Sequence, residues 1–335
     1  MRILVVGGTR FVGRHIVEEA LGRGHEVTLL HRGSTGSDLF EKAEHLLADR
    51  NDTAALREVL RGRTFDATVD VCAYVPRQVR TLAEALGGRG GHHVYISTVS
   101  VYDDPAGPGA DESSPLLDLV DDTEEVTNET YGPLKAECER VAVASYPAER
   151  LAIVRPTFVV GPFDPTGRYT YWVDRIRRGG DVLAPGPRDA PVQLVDGRDQ
   201  AVLVVSLAEQ AVPGVFNSIG TGAPYTFGDM LGDIADAVGP DDTRMVWADP
   251  QWLNDNDVPM PLWSEDEIEK LMTMSNVAAL AAGMPVRPVA DTVRDTAAWI
   301  DELVAGGGSP FRTPPLSAER EAELLAGWNR SAAAE

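Results

Sequence analysis

The sequence predicts an α/β protein built on a doubly wound parallel sheet, and three observations support this prediction. Short β-rich runs alternate with helical patterns from Arg2 to Val154. The first run, Arg2–Val6, is almost continuously apolar, which is typical of a strand buried on both faces of a parallel sheet. It ends in glycines directly before a helical pattern, so the chain begins as a βαβ unit, whose right-handed crossover covers one face of the sheet.

The next elements follow from spacing and residue type. Val12, Ile16 and Ala20 recur at helical spacing, and glycines end that pattern. The strand His25–Leu30 follows, and Asp52–Leu60 reads as a helix whose first residue is of the N-cap type. In the rest of the first half, strands are expected at 66–72, 93–97 and 151–154, and helices at 77–86 and 131–145.

The second half is less regular and is predicted to be mostly helical. Helices are expected near 169–178, 199–209 and 226–237, over most of 264–304 and over 317–333, with short strands near 192–195 and 243–247. Ser317 has the residue type of an N-cap for the last helix. The acidic segment Asp103–Asn128 has no regular pattern, and loops of that length are usually functional or mobile.

The charge balance is strongly acidic. The formal net charge is −22 and the sequence pI is about 4.6. Binding to nucleic-acid backbones and anionic membranes depends on clustered Lys and Arg, so both are disfavoured as partners. A small-molecule substrate is expected instead.

Targeting and metal-binding signals are weak. No stretch approaches the roughly 20 apolar residues needed to cross a bilayer, and the apolar run at the N-terminus is too short for a signal peptide. Cys72 and Cys138 are the two cysteines, too few for a disulfide framework or a structural zinc site, and the six histidines show no metal-ligand spacing. We therefore expect a cytoplasmic protein with reduced thiols and no metal.

A glycine-rich turn, Gly7-Gly8-Thr9-Arg10-Phe11-Val12-Gly13, joins the first strand to the first helix. Glycine lets the backbone turn sharply. It also lets a pyrophosphate approach the N–H groups at the helix N-terminus, where the helix dipole favours an anion. The position between a buried strand and a helix predicts a Rossmann-like, dinucleotide-binding sheet.

A second motif, Tyr131-Gly132-Pro133-Leu134-Lys135, opens the helix expected over 131–145. Tyr131 and Lys135 are four residues apart, so a helix places their side chains on one face. Pro133 fits only if the helix begins near Thr130 or Tyr131, because a proline in the first turn costs no hydrogen bond. An ammonium stabilises a nearby phenolate, so the pair could transfer a proton at neutral pH.

On these motifs the sequence resembles the extended short-chain dehydrogenase/reductases, the superfamily of NAD-dependent epimerases and dehydratases. The family pattern Gly-x-x-Gly-x-x-Gly is matched at its ends by Gly7 and Gly13, and Arg10 replaces the middle glycine. The turn is similar to that of an atypical branch that reads GGTRF. The resemblance extends over residues 1–220, in which the second motif corresponds to the family's catalytic tyrosine and lysine.

The resemblance implies a catalytic set of Thr98, Tyr131 and Lys135. Thr98 follows the expected strand HVYIS and matches the family's Ser or Thr that orients the substrate oxygen, with Ser100 as the alternative. The family's sugar-nucleotide dehydratases carry Asp-Glu directly after this residue. Val99 and Ser100 occupy those places here, which argues against a dehydratase and leaves net reduction and epimerisation open.

The end of the second strand bears on the cofactor. His31 stands where the family's NAD-binding members place an aspartate, and Arg32 follows it. A guanidinium pairs with a 2′-phosphate in a charge-assisted contact, so Arg10 and Arg32 favour NADP(H), with NAD(H) as the alternative. Asp49 matches the family's aspartate that faces the adenine.

The resemblance also assigns the remaining site residues. The cofactor is expected to contact Gly7, Thr9, Arg10, Phe11, Val12, Gly13, Arg32, Asp49, Ala73, Tyr131, Lys135, Pro156 and Thr157. The substrate is expected to contact Thr98, Ser100, Tyr169, Trp172, Gln193 and Trp263. Nucleotide-sugar epimerases place an arginine just before the segment that corresponds to Val195–Ala201, and Ala190–Gln193 stand there instead, which argues against a nucleotide-sugar substrate.

We therefore predict a dinucleotide-binding domain over 1–165 and about 190–218, and a smaller, mostly helical substrate-binding region over 166–189 and 219–335. The expected protein is an NADP(H)-preferring oxidoreductase or epimerase that transfers hydride reversibly at a secondary alcohol or ketone of a small substrate, with sugars among the candidates. The alternatives are a nucleotide-sugar epimerase with tightly bound NAD, a non-catalytic dinucleotide sensor and an RNA-associated member. Family analogy also implies a homodimer formed through the helices at 77–86 and 131–145.

Overall fold

Strands and helices alternate along the first half of the chain. The computed structural model describes residues 1–36, 38–103, 109–120, 123–222, 224–263, 272–311 and 316–332. The strands are β1 Arg2–Val6, β2 Glu26–His31, β3 Glu44–Leu47, β4 Ala67–Asp70, β5 His92–Ile96, β6 Leu151–Pro156, β7 Phe158–Val160, β8 Asp181–Pro185, β9 Leu194–Asp196, β10 Gly214–Ser218 and β11 Arg244–Ala248. The helices are α1 Phe11–Gly22, α2 Thr53–Val59, α3 Pro76–Leu86, α4 Tyr131–Ser145, α5 Arg168–Ile176, α6 Gly197–Gln210, α7 Phe227–Val238, α8 Pro250–Asp255, α9 Val277–Ala281, α10 Val289–Ala305 and α11 Ala318–Ala332.

The central sheet has seven strands in the order β10-β6-β5-β4-β1-β2-β3, and every neighbouring pair is parallel. From β1 the chain builds outward through β2 and β3 on one side. It then crosses to β4 and builds outward on the other side. The strand order therefore reverses between β1 and β4, and the crevice at their carboxyl ends is where such sheets bind ligands. The predicted doubly wound, Rossmann-like fold is confirmed.

Alternate residues of β1 pack on opposite faces of the sheet, as the strand period requires. Ile3 and Val5 belong to a core with α1 and α6, whereas Leu4 and Val6 belong to a core with α2 and α3. Each of these four side chains is 1% exposed or less, which explains why the first run of the sequence is continuously apolar.

The chain folds as two compact units. The first comprises Met1–Val159, Leu194–Gly220 and Thr273–Val286, and the second comprises Val160–Gln193, Thr221–Met272 and Arg287–Glu335. The sequence analysis assigns 273–286 to the substrate-binding region instead. Two observations explain the difference: Ala279 and Met284 are buried in the core that also contains residues of α1 and α6, and the Asn276 amide donates to the carbonyl of Ile219 at 2.8 Å.

The second unit contains a two-stranded parallel sheet formed by β8 and β11. A buried ion pair connects its last helix, α11, with α5. Nε of Arg175 on α5 lies 2.5 Å from Glu321 on α11, and Glu321 also accepts the N–H of Leu183 at 3.1 Å. The Ser317 hydroxyl accepts the N–H of Arg320 at 3.2 Å, which confirms the predicted N-cap. Of the predicted helical stretch 264–304, residues 264–271 lie outside the described residues.

Most predicted elements of the first unit match the structure within a few residues. Helix α4 begins at Tyr131 with Thr130 as its N-cap residue, so Pro133 lies in the first turn. Three strands, β3, β7 and β8, have no counterpart in the sequence prediction. β3 is a four-residue edge strand with one buried residue, so its apolar signal is weak, and β7 and β8 are short strands of three and five residues.

The start of α1 lies directly on the end of β1. The backbone of Gly7 has a φ of +92°, a conformation that favours glycine. A Cβ on Gly13 would lie 2.2 Å from the Gly7 carbonyl oxygen and 3.0 Å from Cα of Gly8. Only a residue without a side chain allows this approach, so the glycines at both ends of the turn are structural requirements of the crossover.

We predict that Gly13→Ala lowers the free energy of unfolding by about 1–3 kcal/mol, because the methyl group would have to displace backbone. Gly22→Ala is the matched control: Gly22 ends the same helix, and a Cβ there meets nothing within 4 Å. That change should leave stability unchanged or raise it by up to about 1 kcal/mol. Urea denaturation measures both, and equal stabilities for the two variants would contradict the proposed packing.

Candidate active site

The glycine-rich turn presents the N-terminus of α1 at the carboxyl edge of the sheet. Arg10 is the N-cap residue, with extended backbone and an exposed side chain. Within the described residues no side chain caps this helix, and its first turn carries no acid. The N–H groups of the turn can therefore donate hydrogen bonds to an anionic ligand. The turn fits the pyrophosphate of a dinucleotide on this count.

The end of β2 carries a histidine pair instead of an acid. Nε2 of His31 lies 2.8 Å from Nδ1 of His45, and the Gly33 N–H donates to Nδ1 of His31 at 3.2 Å. Burial lowers the pKa of His31, and the neighbouring His45 lowers it further. Arg32, which follows His31 in the chain, is exposed. This end of the site therefore presents a neutral imidazole and a solvent-facing guanidinium.

The loop after β2 also approaches the glycine-rich turn. The hydroxyl groups of Thr9 and Thr35 lie 3.5 Å apart. A Cβ on Gly36 would lie 3.2 Å from the Thr9 carbonyl oxygen. The loop that begins at Arg32 therefore contacts the turn at Thr9 through Thr35 and Gly36.

A buried ion pair lies beneath the turn, at the end of β4. Arg50 donates two hydrogen bonds to the Asp70 carboxylate, at 2.6 and 2.8 Å, and further ones to Cys72 Sγ and the Gln78 carbonyl. Burial alone would raise the pKa of Asp70, but the charge and hydrogen bonds of Arg50 hold it below its ordinary value. A Cβ on Gly7 would lie 2.7 Å from Cys72 Sγ, so Cys72 contacts both the glycine-rich turn and Arg50 of the ion pair.

Lys135 is buried between the ends of β4 and β5. Its Nζ donates to the carbonyls of Ala73 at 2.8 Å and Ile96 at 2.7 Å, and it lies 4.4 Å from the ring centroid of Tyr95. Burial lowers the pKa of Lys135 to about 8. The ammonium charge is therefore present at neutral pH and is lost as the pH rises through about 8.

Tyr74, which the sequence analysis did not select, lies between the two members of the predicted catalytic pair. Its ring centroid is 6.4 Å from that of Tyr131 and 5.7 Å from Nζ of Lys135. The structure thus brings Tyr131 and Lys135 to one aromatic ring, as their helical spacing predicts. Tyr74 is 47% exposed, so this part of the site is open to solvent.

The first turn of α4 packs on the segment that contains Thr98. A Cβ on Gly132 would lie 2.3 Å from the Ser100 carbonyl oxygen, so only glycine permits this approach. The Thr98 hydroxyl donates to Oγ of Ser100 and accepts the Ser100 N–H, both at 3.2 Å. The first turn of α4 therefore lies against the Thr98–Ser100 segment, and Gly132, which makes this approach possible, was not among the predicted site residues.

The other predicted cofactor residues of the first unit lie at the same carboxyl edge. Asp49 is exposed between β3 and α2 and accepts the backbone and side-chain N–H groups of Asn51. Pro156 ends β6, and the N–H of Thr157 donates to the Ser218 carbonyl at 3.3 Å. Phe11 and Val12 form the first residues of α1. Their contacts with a cofactor stay predictions.

The substrate candidates Tyr169, Trp172, Gln193 and Trp263 belong to the second unit. The first three are at most 2% exposed. The Trp172 indole donates to the Pro261 carbonyl at 2.9 Å, and its ring packs edge-on against Phe227. Phe227 in turn packs edge-on against Trp263. These aromatic residues form part of the core of their unit, and a substrate role for them stays a prediction.

Two further observations concern metals and membranes. Within the part of the chain that the structure describes, no group of three or more His, Cys, Asp or Glu side chains could hold a metal ion. No helix of the described residues is long and apolar enough to cross a membrane.

The chain belongs to the NAD dependent epimerase/dehydratase family, whose model matches residues 3–219. This membership agrees with the resemblance to the extended short-chain dehydrogenase/reductases on which the glycine-rich turn and the Tyr-x-x-x-Lys pair were interpreted. The match includes every cofactor and catalytic residue predicted in the first unit.

Individual relatives share a low sequence identity with this chain or match only a short part of it. The chloroplast stem-loop binding protein of 41 kDa b from Arabidopsis thaliana is 24% identical over 75% of this chain and 66% of its own length. A bifunctional pinoresinol-lariciresinol reductase from Thuja plicata is 34% identical over 28% of each chain. This chain thus matches less than two thirds of the length of either relative. UDP-glucose 4-epimerase of Thermus thermophilus, solved in complex with NAD, shares the fold at 23% identity, with a TM-score of 0.66 over 89% of this chain and 98% of that one.

We predict that Arg50→Met lowers the free energy of unfolding at pH 7 by about 3–5 kcal/mol, because it leaves the buried Asp70 carboxylate unpaired. Arg57→Met is the control, since Arg57 and its partner Glu84 are both about half exposed. That change should cost less than about 1 kcal/mol.

The pH dependence of the Arg50 effect is a second test. In wild type the pKa of Asp70 is lowered, so the ion pair stabilises the fold above the ordinary carboxyl range and is lost as the pH falls through the lowered value. In Arg50→Met the buried carboxyl takes up a proton more readily, which relieves the penalty. Denaturant titrations from pH 7 to 4 should therefore show the two proteins converging, and a constant difference would contradict the assignment.

Proposed function

We propose that this protein is an NADP(H)-preferring oxidoreductase or epimerase that transfers hydride reversibly at a secondary alcohol or ketone of a small substrate, with sugars among the candidates. One arrangement carries the proposal. The first turn of α4 brings Tyr131 and Lys135 against Tyr74, and Gly132 brings the same turn against the Thr98–Ser100 segment. These contacts support a site in which a phenol, an ammonium and a hydroxyl act together at the carboxyl edge of the sheet.

The proposed mechanism assigns one task to each of the three side chains. A bound nicotinamide supplies or accepts the hydride. The Tyr131 phenol gives a proton to the substrate oxygen during reduction and takes one during oxidation. The Lys135 ammonium favours the phenolate form, because a nearby positive charge lowers the pKa of an acid. The Thr98 hydroxyl orients the substrate oxygen: it keeps accepting the Ser100 N–H, and the proton that it donates to Oγ of Ser100 in this structure turns to the substrate oxygen when substrate binds.

The NADP(H) preference is supported by the end of β2. A carboxylate at this place would accept hydrogen bonds from the ribose hydroxyls and would repel a 2′-phosphate. His31 occupies the place as a buried imidazole with a lowered pKa, so no negative charge opposes the phosphate. The exposed Arg32 next to it can pair with that phosphate. Arg10, exposed at the N-cap of α1, is a second candidate for this contact.

Three other functions are less well supported. A nucleotide-sugar epimerase with tightly bound NAD agrees with the family and with the Thermus thermophilus enzyme, but Ala190–Gln193 stand where such enzymes place a diphosphate-binding arginine. RNA binding is suggested by the name of the plant stem-loop binding protein. A net charge of −22 opposes it, because RNA affinity depends on releasing counterions with Lys and Arg. The catalytic tyrosine, which non-catalytic sensors commonly lose, argues against a sensor.

The proposal extends to the substrate residues, the oligomer and the location. Ser100 is the fallback for Thr98, and Tyr169, Trp172, Gln193 and Trp263 remain the candidates for substrate selectivity. A homodimer through α3 and α4 is proposed on family analogy, and on α4 the side chain of Val143 is 63% exposed. Cys72 and Cys138 are free thiols, as a reducing cytoplasm favours.

We expect Tyr131→Phe to lower kcat by about 100-fold or more, because it removes the proton donor while keeping the ring. Cofactor affinity should stay within about 3-fold. Tyr74→Phe is the matched control, since it removes the neighbouring hydroxyl, to which the mechanism gives no task. Turnover is measured by NADPH consumption over a panel of ketones and keto-sugars. Equal turnover in Tyr131→Phe and wild type would remove this phenol from the mechanism.

We expect Arg32→Ala to raise the Kd for NADPH by about 10- to 100-fold and to leave the Kd for NADH within about 3-fold, because a hydrogen bond to a charged group contributes about 1.5–3 kcal/mol. Arg57→Ala, on the exposed surface of α2, is the control and should change neither value. Fluorescence titration of the reduced cofactors gives both constants. Equal weakening of both cofactors, or none, would refute the NADP(H) preference.

A further inference from the structure

The histidine pair at the end of β2 forms a directed chain of hydrogen bonds. His31 is 8% exposed, and its ring packs edge-on against His45, with centroids 5.0 Å apart and planes at 78°. Nε2 of His31 lies 2.8 Å from Nδ1 of His45. Nε2 of His45 lies 3.4 Å from the Phe40 carbonyl oxygen, and the Gly33 N–H lies 3.2 Å from Nδ1 of His31.

These partners determine where the ring protons lie. The Gly33 N–H can only donate, so Nδ1 of His31 carries no proton. Its proton is then on Nε2 and is donated to Nδ1 of His45, which must be bare as well. The proton of His45 is therefore on Nε2 and faces the Phe40 carbonyl. Both rings are neutral and in the Nε2–H form, and protonating either one would place two donors face to face.

The chain of hydrogen bonds fixes the loop that contains Arg32. The Ala48 N–H donates to the His31 carbonyl at 3.1 Å, so the backbone of His31 is held before the loop begins. The ring of His31 then holds Gly33, directly after Arg32. His45 lies on β3, one strand further from β1 than His31, and serves as the acceptor that fixes the His31 ring.

We propose that His45 is a positioning residue for cofactor selection: acting through His31, it holds the loop after β2 in the conformation in which Arg32 meets the 2′-phosphate of NADP(H). This inference rests on the proposed NADP(H) preference. It adds that the selectivity for NADP(H) over NAD(H) depends on His45, which lies outside the cofactor motif. It also adds that hydrogen bonds keep His31, which stands in place of the family's acid, in its neutral form. Truncating His45 should therefore impair binding of the phosphorylated cofactor selectively.

The test compares His45→Leu with His45→Asn in the full chain. Leucine fills the space and removes the acceptor, whereas the amide oxygen of asparagine stands about where Nδ1 stands and can accept from His31. We expect His45→Leu to raise the Kd for NADPH by about 10-fold, while the Kd for NADH and kcat at saturating NADPH change by less than about 3-fold. His45→Asn should restore the Kd for NADPH to within about 3-fold of wild type.

A measurement on the wild-type protein keeps the inference testable even if His45→Leu does not fold. Nitrogen-15 NMR of histidine-labelled protein without cofactor distinguishes the two neutral forms and the imidazolium. At pH 7 we expect His31 and His45 both in the Nε2–H form. An Nδ1–H form or a charged ring at either position would overturn the inference.

The binding results also separate this inference from the cofactor preference itself. If Arg32→Ala loses NADPH selectively and His45→Leu does not, the positioning role is refuted while the preference stands. If Arg32→Ala weakens neither cofactor selectively, the preference has failed. If His45→Leu weakens NADPH and NADH equally, or if His45→Asn is as impaired as His45→Leu, His45 has only a structural role.

Discussion

The buried ion pair between Arg50 and Asp70 determines where the end of β4 lies, and the proposed site is assembled around that end. Asp70 is fully buried, and its charge is tolerated because Arg50 binds it through two hydrogen bonds. The same guanidinium reaches Cys72, which lies beneath Gly7, and the carbonyl of Gln78 in the first turn of α3. The contacts of Arg50 thus connect the segment before α2 with the end of β4, the start of α3 and the residue that packs under the glycine-rich turn.

The residues that follow Asp70 contact both members of the proposed catalytic pair, Tyr131 and Lys135. The Ala73 carbonyl accepts a hydrogen bond from Lys135, and the Tyr74 ring lies beside Tyr131. Two opposing effects act on the charge of Lys135. Burial lowers its pKa to about 8, while two carbonyls satisfy its donors and keep the ammonium in place. Buried groups with shifted pKa values are common at functional sites, and in the proposed mechanism the charge of Lys135 stabilises the phenolate of Tyr131.

The sequence predicts the parts of this arrangement that depend on local patterns. The apolar run of β1, the glycines around α1 and the four-residue spacing of Tyr131 and Lys135 each arise from neighbours in the chain, and each appears in the structure where expected. Contacts between distant segments could not be predicted. Nothing in the spacing of Arg50 and Asp70 marks them as partners, and His45 lies on an edge strand with too few apolar residues to be recognised. Gly132 is required only because Ser100 approaches it from another element.

A crystal structure of the protein with bound NADP⁺ is the most direct test of the proposed site. We expect the pyrophosphate on the N–H groups of the glycine-rich turn and the 2′-phosphate against Arg32. We also expect the Tyr131 hydroxyl within about 4 Å of the space above C4 of the nicotinamide, where a substrate oxygen would react. A dinucleotide bound elsewhere, or a Tyr131 hydroxyl more than about 8 Å from the nicotinamide ring, would contradict the proposed catalytic site.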